Sequence, residues 1–407
     1  MRTAEANGPL KGFRILDMTS VLMGPTATQL LGDMGADVIK VEAPDGDLIR
    51  QVGPARNPGM GALYLNANRS KRSICIDLKT AEGRDLLLRL AGDADALVYN
   101  VRPRAMARLG LDYEAVPAPN PRIVYAGLFG FAQAGPYAAN PAYDDLIQGA
   151  SGLAALIARA GDGVPRYVPS AVADRVVGLM AVGVICATLL ERERSGLGQR
   201  VDIPMFETMT AFVLGDHLGG LSFEPPLDGG GYARHLTPER RPYATRDGHI
   251  CALLYNDAHW QRFLLRVGEA ALADDPRFAT LASRLQNIDH VYGALRRIFL
   301  ERTTRDWLEL LDELDIPAAP YNDLPGILDD PQLGASDFFQ RAVHPSEGPI
   351  RTMRIPARWS RTAPSVDRLA PHLGEHGIEV LHEAGLAEKD IAQLLDAGAV
   401  RVDAAQR

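Results

Sequence analysis

An aspartate stands at the mouth of the most apolar stretch of the sequence. In VADRVVGLMAVGVICATLLERERSGLG, Asp174 and Arg175 come directly before Val176–Leu190, which has no charged residue. Two readings fit. Asp before a helix commonly caps it, its carboxylate accepting a hydrogen bond from a first-turn N–H. Alternatively the carboxylate does chemistry. A helix N-terminus favours the charged form. An ionised carboxylate beside an apolar wall, with little water, is suited to attack a carbonyl carbon. Both readings keep Asp174 ionised.

Other residues could hold a ligand. NRSKRSICIDLKT carries Arg69, Lys71, Arg72 and Lys79, and NVRPRAMARLG carries Arg102, Arg104 and Arg108. These are either solvated loop charges or contacts to a multiply phosphorylated ligand, worth ~1.5–3 kcal/mol per charge-assisted bond. Gly229, Gly230 and Gly231 in DGGGY read as a linker or as a flexible lid. Arg240 and Arg241 in PERRPY are either exposed loop arginines or a guanidinium for the second carboxylate of a dicarboxylic acid. No G-x-G-x-x-G or Walker A pattern follows the first strand, which disfavours NAD, FAD and ATP. No H-E-x-x-H, Cys-x-x-Cys or G-x-S-x-G occurs, so no metal site is expected. Cys75, Cys186 and Cys251 form no disulfide framework.

The elements that must position these residues alternate. GFRILDMTS reads as a strand ending near Asp17, a helix follows Gly24-Pro25, and ADVIKVEAP is the next strand. This βαβ unit predicts an α/β fold with a parallel sheet. RSICIDL, DALVYNV and PRIVYAGLFGF continue it, with helices between. Gly178, Ala181, Gly183 and Ala187 permit close packing, so the 176–190 helix is expected at the centre of its domain. Composition shifts near residue 225. Residues 1–224 and 331–407 are expected to form a discontinuous large domain, and 225–330 a smaller one. With 46% hydrophobic residues and a net charge of -8, the 407-residue chain is expected to be soluble and cytoplasmic, without nucleic acid or membrane as partner. The 176–190 run is shorter than the roughly 20 residues of a membrane span.

In order along the chain, LKGFRILDMTSVLMGP, LLGDMGADVIKVEAPDGDLIR, SICIDLKTAEG, ALVYNVRPRAMARLGLDYE, PRIVYAGLFGFAQAGPYA, AYDDLIQGASGL, VADRVVGLMAVGVICATLLERERSGLGQRVDI, DDPRFATLASR, DIPAAPYN and LGEHGIEVL resemble the family III CoA-transferases, a group that includes α-methylacyl-CoA racemase. The resemblance implies a Rossmann-like parallel-sheet large domain plus a smaller α+β domain, in an interlocked homodimer. It implies acyl-CoA and carboxylic acid substrates, with coenzyme A moved between acyl groups. Asp174 falls on the family nucleophile, which forms an acyl anhydride and then a CoA thioester. CoA contacts carry over to Val21, Leu22, Ala43, Pro44, Ile76, Asp77, Lys79, Asn100, Val101, Arg102 and Arg108, with Tyr143 at the same site. Gly229–Gly231 falls near the loop that shields the intermediate in some relatives. The racemase uses a histidine where Tyr143 stands. A phenol with a pKa near 10 is a poor acid/base for α-proton transfer near neutral pH, which favours the transferase. A racemase or epimerase, and a non-catalytic acyl-CoA binder, are the alternatives.

Overall fold

A computed structural model describes residues 7–365 and 368–403. The chain divides into two compact units. The first comprises residues up to Ser151, Val168–Thr210 and the segment from Ala335 onward; the second comprises Gly152–Tyr167 and Ala211–Gly334. The division expected at 224/225 and 330/331 thus falls at 210/211 and 334/335, and a short segment before the long helix joins the second unit.

In chain order the elements begin β1 (Arg14–Met18), α1 (Met23–Asp33), β2 (Asp37–Glu42), α2 (Ala62–Leu65), β3 (Lys71–Ile76), α3 (Ala81–Gly92), β4 (Ala96–Tyr99), α4 (Pro103–Arg108) and β5 (Val124–Phe129). They continue α5 (Asp144–Ala150), α6 (Leu153–Ala160), α7 (Val172–Ser195), β6 (Arg200–Pro204) and α8 (Met205–His217). The second unit adds α9 (Ala233–Leu236), β7 (Tyr243–Ala244), β8 (His249–Ala252) and β9 (Ala318–Pro320). The chain then returns through β10 (Phe339–His344), β11 (Gly348–Met353), two helices at Gly377–Glu383 and Glu388–Asp396, and β12 (Val400–Arg401).

Strands β1, β3, β4 and β5 are buried along their whole length. That burial on both faces is why β4 and β5 read as continuous apolar runs, whereas the charges of β1 and β3 are paired within the fold. The sheet order is β12-β3-β2-β1-β4-β5-β6. The pairs from β3 to β6 are parallel, and β12 is antiparallel to β3. Leu16 of β1 lies between Ile39 of β2 and Leu97 of β4. The winding runs outward from β1 to β3, then restarts at β4 on the other side of β1. A crevice therefore opens at the carboxyl ends of β1 and β4, where such sheets bind ligands.

α7 lies against α1. Gly178 makes the approach possible, because a Cβ there would sit 2.8 Å from the Met23 carbonyl oxygen. Arg175 donates to the Thr26 hydroxyl at 2.8 Å. Only one face of α7 is covered, contrary to the expectation of a central buried helix. Leu179 is 60% exposed and Met180 52%. The whole helix of 24 residues, unlike its uncharged core alone, is long and apolar enough by length and composition to cross a membrane.

The second unit is α+β. β7, β8 and β9 form an antiparallel sheet, and Trp260, Phe263, Phe299 and Trp307 anchor its core. α6 belongs here because it packs on α9, and a Cβ on Gly231 would approach the Arg159 guanidinium to 3.0 Å.

Candidate active site

Asp174 is the third residue of α7, and the N-cap position belongs to Ala171, which makes no side-chain capping bond. The capping role expected of Asp174 is supplied from outside the helix. Asp144 of α5 accepts the Asp174 N–H at 3.0 Å. Gln148, fully buried, fixes Asp144 by donating to its other carboxylate oxygen at 2.5 Å. The Gln148 side-chain oxygen Oε1 in turn accepts the Val168 N–H at 2.8 Å. The Asp174 carboxylate is left without a hydrogen bond among the described residues and is 9% exposed. Burial, and secondly the like charge of Asp144, push its pKa up to about 7 against the opposing pull of Arg175. This corrects the expectation that the helix end keeps it fully ionised. Desolvation and a neighbouring carboxylate outweigh the terminal field.

Asp174 lines a cavity of about 270 Å³ at the carboxyl ends of β1, β4, β5 and β6. Ser20, Val21, Asn100, Gly130 and Tyr143 are also in its wall. The loop after β1 is held rigidly. Ser20 and Asn100 exchange two hydrogen bonds, at 3.0 and 2.9 Å. Val21 has φ 68°, a left-handed conformation that costs a β-branched residue roughly 1–2 kcal/mol. Its N–H is held by Asp47 at 3.1 Å. Asp47 is itself ion-paired to Lys40 at 2.9 Å with both side chains buried, and Lys40 also donates to the Thr19 carbonyl at 2.8 Å. A buried ion pair thus secures a strained loop against the cavity.

A second cavity of about 350 Å³ adjoins the first. It shares Arg102, Pro103, Gln133 and Ala138 and adds Arg104 and Arg108. Three guanidinium groups on one wall are suited to an oxyanion-rich ligand.

Of the residues expected at the site, the structure brings Val21, Asn100, Arg102, Tyr143 and Asp174 to the first cavity, and Arg108 to the second. Tyr143 is 63% exposed. Leu22 instead turns into an apolar cluster with Ile49, Met60 and Tyr64. Val101 packs against the main core, and Ile76 is fully buried in it. Ala43, Pro44, Asp77 and Lys79 follow β2 and β3 and line neither cavity. Asp77 accepts the Lys79 N–H at 3.0 Å.

The basic cluster around β3 is largely consumed by the fold. Arg69 pairs with Asp33 at 2.6 Å and Lys71 with Asp17 at 2.9 Å. Arg72 pairs with Asp37, Glu379 and Glu383. Burial raises the Asp17 pKa, but Lys71 and Lys40 outweigh it and hold the carboxyl at about 2. Gly229–Gly231 belongs to the second unit and is pinned there. Asp228 accepts the N–H groups of Gly220 and Gly230 at 2.8 and 2.7 Å. Arg240 and Arg241 line a different cavity, also in the second unit. Residue reading missed Asp144, Gln148, Lys40 and Asp47. Only Lys40 carried a signal, a charge inside the apolar strand VIKVE that must find a partner.

The model of CoA-transferase family III matches residues 10–377. A succinate–glutarate CoA-transferase of Agrobacterium fabrum is 36% identical over 94% of this chain and 97% of its own length. A formyl-CoA:oxalate CoA-transferase of Streptomyces coelicolor is 32% identical over 96% of this chain and 99% of its own. Among solved structures, a CAIB/BAIF family protein from Brucella suis superposes with a TM-score of 0.78 at 32% identity, covering 93% of this chain and all of that one. The match runs through the cavity segments, and its breadth leaves one conclusion: this chain is an enzyme of CoA-transferase family III.

Proposed function

We propose that Asp174 is the nucleophile of a CoA transfer from an acyl-CoA to a carboxylic acid. One observation carries this reading: a buried carboxylate, unbonded and facing a cavity at the strand ends of a Rossmann-type sheet, beside a second cavity with three arginines. The Asp174 carboxylate attacks the donor thioester carbonyl, giving a mixed anhydride and CoA thiolate. The thiolate attacks the aspartyl carbonyl, releasing the donor acid and leaving an Asp174–CoA thioester. The acceptor carboxylate displaces CoA thiolate from it, forming a second anhydride. The thiolate then takes the acceptor acyl group and frees Asp174. A carboxylate of raised pKa is the more basic, hence the better, nucleophile once ionised. The burial of Asp174 limits the access of water to two hydrolysable intermediates.

Arg102, Arg104 and Arg108 hold the CoA phosphates in this reading. The segments after β2 and β3, Ala43–Pro44 and Asp77–Lys79, offer backbone and edge contacts further along the nucleotide. Both curated relatives are named for dicarboxylic acids, and that class is the proposed acceptor. The uncovered apolar face of α7, with Leu179, Met180 and Leu190, supports a homodimer in which a second copy covers it. Quenching the enzyme with hydroxylamine during incubation with acyl-CoA tests the mechanism. The label belongs on Asp174, and a label on another carboxylate with Asp174 unmodified would overturn it.

A further inference from the structure

The second unit contains a cavity of about 550 Å³ that the transfer chemistry does not use. Arg234, Arg240 and Arg241 all line it, and no Asp or Glu does. Arg241 is partly neutralised by Glu239 at 3.2 Å, but Glu239 is shared with Arg296 at 3.2 Å. Arg234 and Arg240 have no carboxylate partner among the described residues. Arg234 is braced instead, donating to the hydroxyl of buried Tyr292 at 2.8 Å. Guanidinium groups gathered on one wall repel one another unless an anion joins them. The rest of the wall is mostly apolar, with Leu253 and Pro317 beside Tyr243 and Tyr292. The volume falls within the ~300–1,000 Å³ of small-molecule sites.

Planar guanidinium forks match a carboxylate two bonds at a time. An apolar floor favours a ligand with a hydrocarbon body over a fully hydrated inorganic anion. We propose that this cavity binds an organic acid, its carboxylate on Arg234 and Arg240 and its hydrocarbon chain against Leu253 and Pro317. The proposal takes from the function above only that the substrates are carboxylic acids.

Cys251 reports on occupancy, because it lines the same cavity and is exposed, whereas Cys75 is buried. The test is calorimetry and maleimide labelling of Cys251 in the full chain, with glutarate, 1,5-pentanediol and inorganic phosphate as probes. Glutarate is expected to bind and to slow labelling, while the diol and phosphate do neither. Arg240→Gln, at an exposed position, and Arg234→Gln should each weaken glutarate by about tenfold or more. Asp174→Asn should leave the protection of Cys251 by glutarate unchanged. Protection by phosphate equal to that by glutarate, or glutarate affinity indifferent to both arginines, overturns the proposal. A nucleophile other than Asp174 would refute the transfer mechanism but leave this binding intact, so the two failures are distinct.

Discussion

Replacing Asp174 with Asn should abolish transfer and also make the protein harder to unfold, by an amount that grows with pH. The ordinary carboxyl value is 3.8, and burial with Asp144 lifts Asp174 to about 7 in the fold. Between those values the native chain holds a proton that the unfolded chain has lost. Each pH unit in that window therefore removes about 1.4 kcal/mol of stability. This contribution is fully present below 3.8, falls as pH rises, and levels off above 7 at a loss of about 4 kcal/mol. Asn carries no proton to lose. The stability gap between variant and wild type should thus widen by about 2.5 kcal/mol from pH 5 to pH 8. Differences in size and hydrogen bonding between Asp and Asn are the same at both pH values and cancel. Urea unfolding of both proteins at the two pH values measures the gap. A gap that stays flat or narrows would mean the carboxylate is already ionised at pH 5, and would refute the claim that burial and Asp144 raise it.

Asp144→Asn keeps an oxygen for the Asp174 N–H but removes the like charge, so the acid limb of the kcat/KM profile should move down by about half to one pH unit. A limb that stays in place would show that Asp144 does not tune Asp174. Arg108→Ala should raise KM for every acyl-CoA donor by roughly 10- to 150-fold with kcat little changed. Lys79→Ala, outside both cavities, should do so only weakly, and a steady-state series with two donors of different acyl length checks both. Lys71→Met strands buried Asp17 and should cost about 3–5 kcal/mol by urea unfolding; Asp17→Asn in the same chain should restore part of it. Light scattering should show a dimer that persists on dilution, and a folded monomer would refute the pairing proposed for α7.

The sheet was legible because fully buried parallel strands leave unbroken apolar runs, as in ALVY and VYAGLF. Charge was not. The partners of Arg72 include Glu383, distant in sequence, and nothing in KRSICI separates an arginine neutralised by the fold from one waiting for phosphate. The position of Asp174 was readable, but its environment was not. Its pKa depends on Asp144, thirty residues earlier on another helix, and the short motif around either residue gives no sign of the meeting. The apolarity of α7 was evident, yet composition does not say whether the chain itself or a second copy covers it. Leu179 and Met180 belong to the second case in our reading.

Strand β12 sets the order in which the protein can be built. Val400 pairs with Ile76, at the outer edge of the main sheet. About four-fifths of the chain, including the entire second unit, lies between these two residues. As the polypeptide emerges from the ribosome, the second unit can fold from nearby pieces. The large sheet must wait with the backbone of β3 bare. Such an edge invites pairing with the wrong strand, and closing it over so long a separation is slow. Synthesis interrupted before residue 400 would leave that edge of β3 unpaired.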